Sequence, residues 1–269
     1  MTHEEKTAQW LRRSARKGER DFGVEIGAFK TPVPGLNPFY VDRFATYANE
    51  PCLADYWGDA AQLPFRDHAL DYVVSSHVLE HTANPVAAIF EWARVARDGG
   101  ILYMVVPDRR RTFDHHRDLT DPAHMMEDYT RGTTVADGTH ISDYLDRLDW
   151  QLWNPAGTPE QNVVIREDLR RAYTAAVAAG QEINIHFHVF ELSNLIELVG
   201  LMNADPKRPA TLEIVDQAEA FPAHCPNGFL LVLRVHKPWR ARLAGAWFRL
   251  RARGASRAAL KADARAMTP

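Results

Sequence analysis

Two nearly continuous apolar runs, Asp71–Ser76 and Ile101–Val106, are rich in β-branched residues, the pattern of strands buried on both faces. Between them, Pro85–Ala96 places Val86, Ile89, Phe90, Ala93 and Val95 near helical spacing. The pair Gly99–Gly100 is expected to end that helix and open the second strand. Strand, helix and strand in this order predict parallel strands joined by a right-handed crossover in a sheet covered on both faces.

The same reading extends outward. Residues 5–20 read as a charged helix carrying Trp10 and Leu11 for packing. Phe22–Ala28 is a short apolar strand ending in glycine, Pro38–Asp42 a second strand, and Cys52–Tyr56 a short third. A helix is expected over His188–Leu198, and Ala210–Asp216 with Phe229–His236 form a hairpin-like pair. Arg109–Phe187 is then an insertion of about 80 residues after the fifth strand. Long insertions at such an edge serve as lids or substrate platforms, and a dimerisation flap is the compatible alternative.

Composition narrows the class. With 269 residues, 46% of them hydrophobic, the chain can bury one large α/β core or two small ones. No run of 18 apolar residues exists, so no membrane span is expected, and the N-terminal stretch lacks the apolar core of a secretory signal. Cys52 and Cys225 have no metal-ligand spacing and read as reduced thiols of a cytoplasmic protein. Net charge is −3, unevenly placed: nine Lys or Arg against one acid from Lys237 onward, and 23 bases against 34 acids before it. An acidic body argues against nucleic acid as the substrate. The basic tail, with Trp239, Leu243, Trp247, Phe248 and Leu250, is open to three readings: an interfacial helix touching a membrane surface, a subunit-docking helix, or an end without fixed structure.

Ligands of parallel sheets bind beyond the carboxyl ends of the strands. Asp42 stands at such an end, where a carboxylate can accept two hydrogen bonds from a ribose diol. His77 and His81 follow the fourth strand in HVLEH, which lacks the HExxH order and an evident third ligand for zinc. Eight of the twelve histidines fall between His77 and His188.

The phrases GDAAQLPF, LDYVVSSHVLEH and GGILYMVVPD together resemble the class I S-adenosylmethionine-dependent methyltransferases, over about Phe22–Pro107 and again from His186 to His236. The resemblance implies a Rossmann-like α/β sheet of order 3-2-1-4-5-7-6 with an antiparallel last strand. It implies S-adenosylmethionine as cofactor, with Glu25 near its ammonium, Gly27 and Ala28 along its methionyl part, and Asp42 on its ribose. Asp59 and Ala60 would lie by the adenine, His77 would wall the sulfur side, and His81 would cap the next helix. One departure stands out. The family's first loop is glycine-rich, whereas here only Gly27 is in place before FKTPVP and Gly35, so the loop is longer and stiffer. The expected organisation is an N-terminal helix to residue 21, a methyltransferase domain over 22–236 with a lid insertion over 109–187, and a tail over 237–269.

VVPDRRRTFDHHRDLT and DGTHI resemble a bacterial branch linked with polysaccharide assembly, and size, insertion and tail resemble actinobacterial 1-O-methyltransferases of methylmannose polysaccharide synthesis. That implies O-methylation of a small saccharide, at the anomeric hydroxyl of a short 3-O-methylated mannoside, by a homodimer. The polar, aromatic, histidine-rich insertion suits such an acceptor. In-line methyl transfer needs alignment, and an alcohol must also lose its proton to a base, for which histidine is the natural choice. His140, in DGTHISD with Asp137 and Asp143 to orient it, is the first expectation; His115 and His116 come second. His186 and His188 flank Phe187 and suit packing or hydrogen bonding. Asp108, Asp114, Asp118 and Asp121 offer an alternative, a Mg²⁺ site that acidifies the hydroxyl, against a solvated charged loop. Two rival functions remain: a methyltransferase of a quinone or lipid acceptor, and a non-catalytic cofactor-binding regulator.

Overall fold

The computed structural model describes residues 1–11, 21–47 and 49–238. Helix α1 (His3–Trp10) opens with a capping box from Thr2 and Glu5. It covers the start of the expected 5–20 helix, whose residues 12–20 lie outside the described ones. Strands β1 (Gly23–Ile26) and β2 (Phe39–Asp42) follow, then a two-stranded ribbon at Thr46–Pro51 and the short β3 (Tyr56–Trp57), slightly later than expected. β4 (Leu70–Ser76), α2 (Pro85–Val95) and β5 (Ala96–Pro107) form the crossover unit. Next come α3 (Pro122–Arg131), α4 (Ile141–Arg147), α5 (Trp150–Trp153) and α6 (Pro159–Ala178). Helix α7 (Leu192–Ala204) and strands β6 (Thr211–Phe221) and β7 (Gly228–His236) complete the described chain.

The sheet has the order β3-β2-β1-β4-β5-β7-β6. β7 runs antiparallel to both neighbours and the other pairings are parallel. This is the expected Rossmann-like order, with β7 tucked inside the edge.

Two boundaries differ from expectation. α2 begins where expected, with Asn84 accepting the Ala87 N–H at 2.9 Å and Pro85 in the first turn, but it stops at Val95. The glycine pair lies inside β5: Leu70 pairs with Ala96 and Tyr72 with Ile101, so residues 97–100 bulge out of the ladder. A Cβ on Gly100 would stand 2.9 Å from the Arg97 carbonyl oxygen, which is why the bulge takes glycine there. Helix α7 starts at Leu192 rather than His188, because Glu191 and Asn194 box its first turn while residues 188–190 stay outside the helix.

Alternation along the strands builds two cores. Leu102, Met104 and Val106 of β5 pack with Ile89 and Trp92 of α2 and Leu195 and Leu198 of α7. Tyr103 and Val105 face the other way, toward Leu230, Val232 and Leu11. At roughly 1.5–3 kcal/mol per buried large side chain, these layers dominate the stability of the sheet. On the second face Asp216 of β6 anchors α1, taking Lys6 as an ion pair and the Trp10 indole N–H at 2.7 Å.

The insertion has a core of its own, with Ile141, Tyr144, Leu145, Ile183, Ile185 and Phe187. It joins the sheet layer where α3 packs on α7 and α2. Among the described residues no helix is long and apolar enough to cross a membrane. The tail from residue 239, including the expected amphipathic segment, lies outside the described residues.

Candidate active site

A cleft of about 1420 Å³ opens beyond the carboxyl ends of β1, β2, β4 and β5, with the insertion as its opposite wall. Glu25, Gly27, Ala28, Asp42, Asp59, Ala60 and His77 all line it, so the seven residues expected from sequence meet in one place.

Their local geometry follows from the strand ends. Glu25 is buried, and the Val33 N–H donates to its Oε1 at 2.8 Å while Oε2 is buried with no hydrogen-bond partner. Burial pushes the Glu25 carboxyl up to about 7, against the pull of the Val33 bond. The loop poor in glycine is therefore held in shape by the carboxylate at its base. Gly27 turns the chain with φ +65°, and a Cβ there would lie 2.7 Å from Cγ2 of Val78. Asp42 is buried and uses Oδ1 for the Phe44 N–H at 2.9 Å. Asp59 is more occupied than expected: Oδ1 accepts the Ala61 N–H at 2.6 Å, and Oδ2 pairs with Arg43 at 2.5 Å. Arg43 reaches on to Glu182 of the insertion and bridges the two walls of the cleft. The Ala60 carbonyl accepts from the Trp92 indole at 2.9 Å, which pins this edge to α2.

His77 has φ +54° and donates its backbone N–H to Val105 at 2.9 Å, fixing the turn after β4. Burial lowers its imidazole to about 4. Glu80 is fully buried, with both oxygens lacking hydrogen bonds; His77 Nδ1 and His81 Nε2 stand 3.7 and 3.8 Å away. Burial raises the Glu80 carboxyl to about 7 and lowers His81 to about 3.

The insertion side supplies an acid–imidazole pair that the sequence reading did not assemble. His186 lines the cleft, and its Nδ1 lies 2.6 Å from Asp114 Oδ2. Asp114 is buried and takes Arg117 on Oδ1 at 2.8 Å; Arg117, wholly buried, reaches Asp143 at 2.7 Å. Burial opposes ionisation of Asp114, yet the bonds to His186 and the Arg117 guanidinium hold its carboxyl below the usual range. Phe113, Tyr144, Trp153 and Tyr173 line the cleft from the insertion with Thr112 and Asn184, and Asn227 lines it from the turn between β6 and β7. The alternation of His186, Phe187 and His188 was the available signal, but the partner Asp114 lies 72 residues away.

Several expected catalytic residues stand elsewhere. His140 is buried outside the cleft lining, its ring against Phe187 and His188. The turn after Gly138 leads straight into α4, which drives that ring into the insertion. Asp143 does not orient His140; it binds Arg117. His115 and His116 stack together and face Asp149 at 3.4 and 3.6 Å, also outside the cleft lining. The acids considered for Mg²⁺ are separated by their arginines. Asp108 binds Arg110, Asp114 binds Arg117, and Asp118 binds Arg147. Asp121 caps α3 through the Ala123 N–H at 2.8 Å.

Comparison with known proteins adds to this geometry. The family model described as "Methyltransferase domain" matches residues 42–104, from the end of β2 into β5. A curated protein, the uncharacterized 37.1 kDa protein in transposon TN4556 of Streptomyces fradiae, is 40% identical over 60 residues, which span 22% of this chain and only 17% of that protein. Among solved structures, a SAM-dependent methyltransferase of Methanosarcina mazei is 16% identical with a TM-score of 0.44, covering 86% of this chain and 97% of that one. A SAM-dependent methyltransferase of Thermotoga maritima is 14% identical with a TM-score of 0.43, covering 88% and 90%. The CurJ carbon methyltransferase is 12% identical with a TM-score of 0.40, covering 83% and 50%.

The strand order is that of the Rossmann-like methyltransferase fold. The matched segment, residues 42–104, carries the likeness to a methyltransferase domain and leaves the acceptor atom open.

Proposed function

We propose that the protein is an S-adenosylmethionine-dependent O-methyltransferase acting on a hydroxyl of a small saccharide, with His186 as the base. The observation that carries this reading is the His186–Asp114–Arg117 chain in the wall of the cleft. The cofactor supplies an electrophilic methyl group on a sulfonium. The residues present fit it: the unpartnered Glu25 Oε2 suits an ammonium, Gly27 leaves room for a close backbone approach, and the buried Asp42 carboxylate at the end of β2 suits a ribose hydroxyl. Asp59 would have to share its Arg43-bound oxygen with an adenine amine.

On the acceptor side, Asp114 accepts from His186 Nδ1–H and leaves Nε2 as the basic nitrogen, which takes the hydroxyl proton as oxygen attacks carbon. Asp114 stays anionic and steadies the imidazolium, while Arg117 fixes the carboxylate from behind. Rings of Phe113, Tyr144, Trp153 and Tyr173 suit the apolar faces of a sugar, and Thr112, Asn184 and Asn227 suit its hydroxyls. The finer reading, the anomeric hydroxyl of a short 3-O-methylated mannoside, rests on the resemblance of the segments after β5. An anomeric hydroxyl is more acidic than an ordinary alcohol, which suits an imidazole base.

The test is methyl transfer to a mannoside panel with quinone precursors and carbon acids alongside. His186→Ala is expected to lower turnover by roughly 10²–10⁴-fold, the contribution of a positioned base, with S-adenosylhomocysteine affinity retained. Transfer only to quinones or carbon acids would overturn the saccharide assignment. Undiminished turnover in His186→Ala would remove the base assignment.

A further inference from the structure

The insertion gathers four ligating side chains that methyl transfer leaves unused. His124 and Asp128 stand one turn apart on α3, His140 precedes α4, and His188 lies in the irregular segment before α7. Their donor atoms all lie within 4.8 Å of one another. His124 Nε2 is 3.3 Å from both Asp128 Oδ2 and His140 Nε2. His140 Nε2 and His188 Nε2 are each 3.8 Å from Asp128 Oδ2. Metal–ligand bonds of about 2.0–2.1 Å in a tetrahedron put donors about 3.3 Å apart, so this set is already near that size.

A second observation is independent of the spacing. Asp128 is buried, and its Oδ2 faces the three imidazoles with no hydrogen-bond partner; Oδ1 is taken by the Thr133 hydroxyl at 2.8 Å. The ion-pair distances found for Asp128 among the described residues are to these histidines and to no Lys or Arg. A buried carboxylate without a cation is strongly unfavourable. His124, His140 and His188 are the groups set against that oxygen, and a bound cation would balance its charge. Neutral imidazoles are the form that ligates metal. The Thr139 hydroxyl lies 3.0 Å from His140 Nδ1, the outer contact that holds a ligating histidine with Nε2 turned inward. His188 Nε2 makes a long 3.3 Å contact to the Ala83 carbonyl, which ligation would replace.

We propose that His124, Asp128, His140 and His188 bind one Zn²⁺ as a four-coordinate structural site. Three nitrogens and one carboxylate oxygen favour a borderline transition ion over Mg²⁺ or Ca²⁺, and four protein ligands leave no open position for catalysis. The ion would tie α3, the start of α4 and the segment before α7 into one unit behind Ala83, which lines the cleft. The inference does not depend on the acceptor or on methyl transfer.

The experiment takes the full chain, stripped by chelator and titrated with Co²⁺. One equivalent should produce the intense visible absorption of a four-coordinate ion, Zn²⁺ should displace it, and Zn²⁺ should raise the unfolding temperature. His124→Ala removes the most exposed ligand with little risk to folding, and should weaken Zn²⁺ binding by roughly 100-fold or more, since loss of an outer partner alone costs 10–100-fold. His140→Ala, checked for folding by circular dichroism, should do the same. A wild-type chain that gives no four-coordinate Co²⁺ spectrum would overturn the proposal, and so would Zn²⁺ affinity unchanged in a folded His124→Ala.

Discussion

Glu25 holds a loop with one oxygen and offers the other to the cleft, and that division makes it sensitive to pH. Its carboxyl is raised to about 7 by burial, and only the ionised form can face an ammonium. Lowering the pH through 7 therefore removes the counter-charge, and affinity for S-adenosylhomocysteine should fall by up to about tenfold per unit below it. Glu25→Gln should bind more weakly at pH 8 and lose most of this dependence. Calorimetry between pH 5.5 and 8 checks it, and identical profiles in the two proteins would assign the dependence to another group.

At the scale of elements, the turn from β1 into its loop meets the start of the turn after β4, and Gly27 is where they touch. Gly27→Ala adds a Cβ 2.7 Å from Val78 Cγ2 and strains a φ of +65°. The expected cost is about 1–3 kcal/mol of stability, with weaker cofactor binding. Adding Val78→Ala should restore only part of the loss, because it relieves the contact and leaves the backbone strain. Denaturant unfolding of the single and double variants separates the two effects. Full restoration would show that the contact alone mattered.

For the whole molecule, burying an unpaired acid in the cleft wall sets a cost that depends on pH. Glu80 ionises near 4.5 when unfolded and near 7 when folded, because burial disfavours its charge. Between those values the folded state holds the extra proton, so stability contributed by this group falls as pH rises from 4.5 through 7. The facing groups are His77, His81, His186 and Asp114. Burial lowers His77 and His81, which costs stability at acid pH, so only the difference between variants isolates Glu80. Glu80→Gln should be near neutral at pH 5 and stabilising by up to about 3 kcal/mol at pH 8. Urea unfolding at the two pH values is the measurement. An equal effect at both would show that the carboxyl does not titrate in this range.

The layers of this fold were legible because they are written in local periods. Alternation and continuous apolar runs mark β4 and β5, helical spacing marks α2, and their order dictates a parallel crossover whatever the rest of the chain does. Two cleft residues at strand ends were legible for the same reason: Asp42 and His77 occupy positions that a parallel sheet turns toward its carboxyl edge, whereas Glu25 was read from the family resemblance. Within the insertion, local pattern no longer decides. DGTHISD resembles an active-site turn, yet the start of α4 points His140 into a cluster with His124, Asp128 and His188. The glycine pair resembles a helix stop and instead forms a bulge, because its neighbour is the ladder with β4. His186 finds Asp114 only when the two ends of the insertion fold onto each other, a contact between groups 72 residues apart. Periodicity along the chain determines which elements form, and packing between segments distant in sequence determines which polar groups meet.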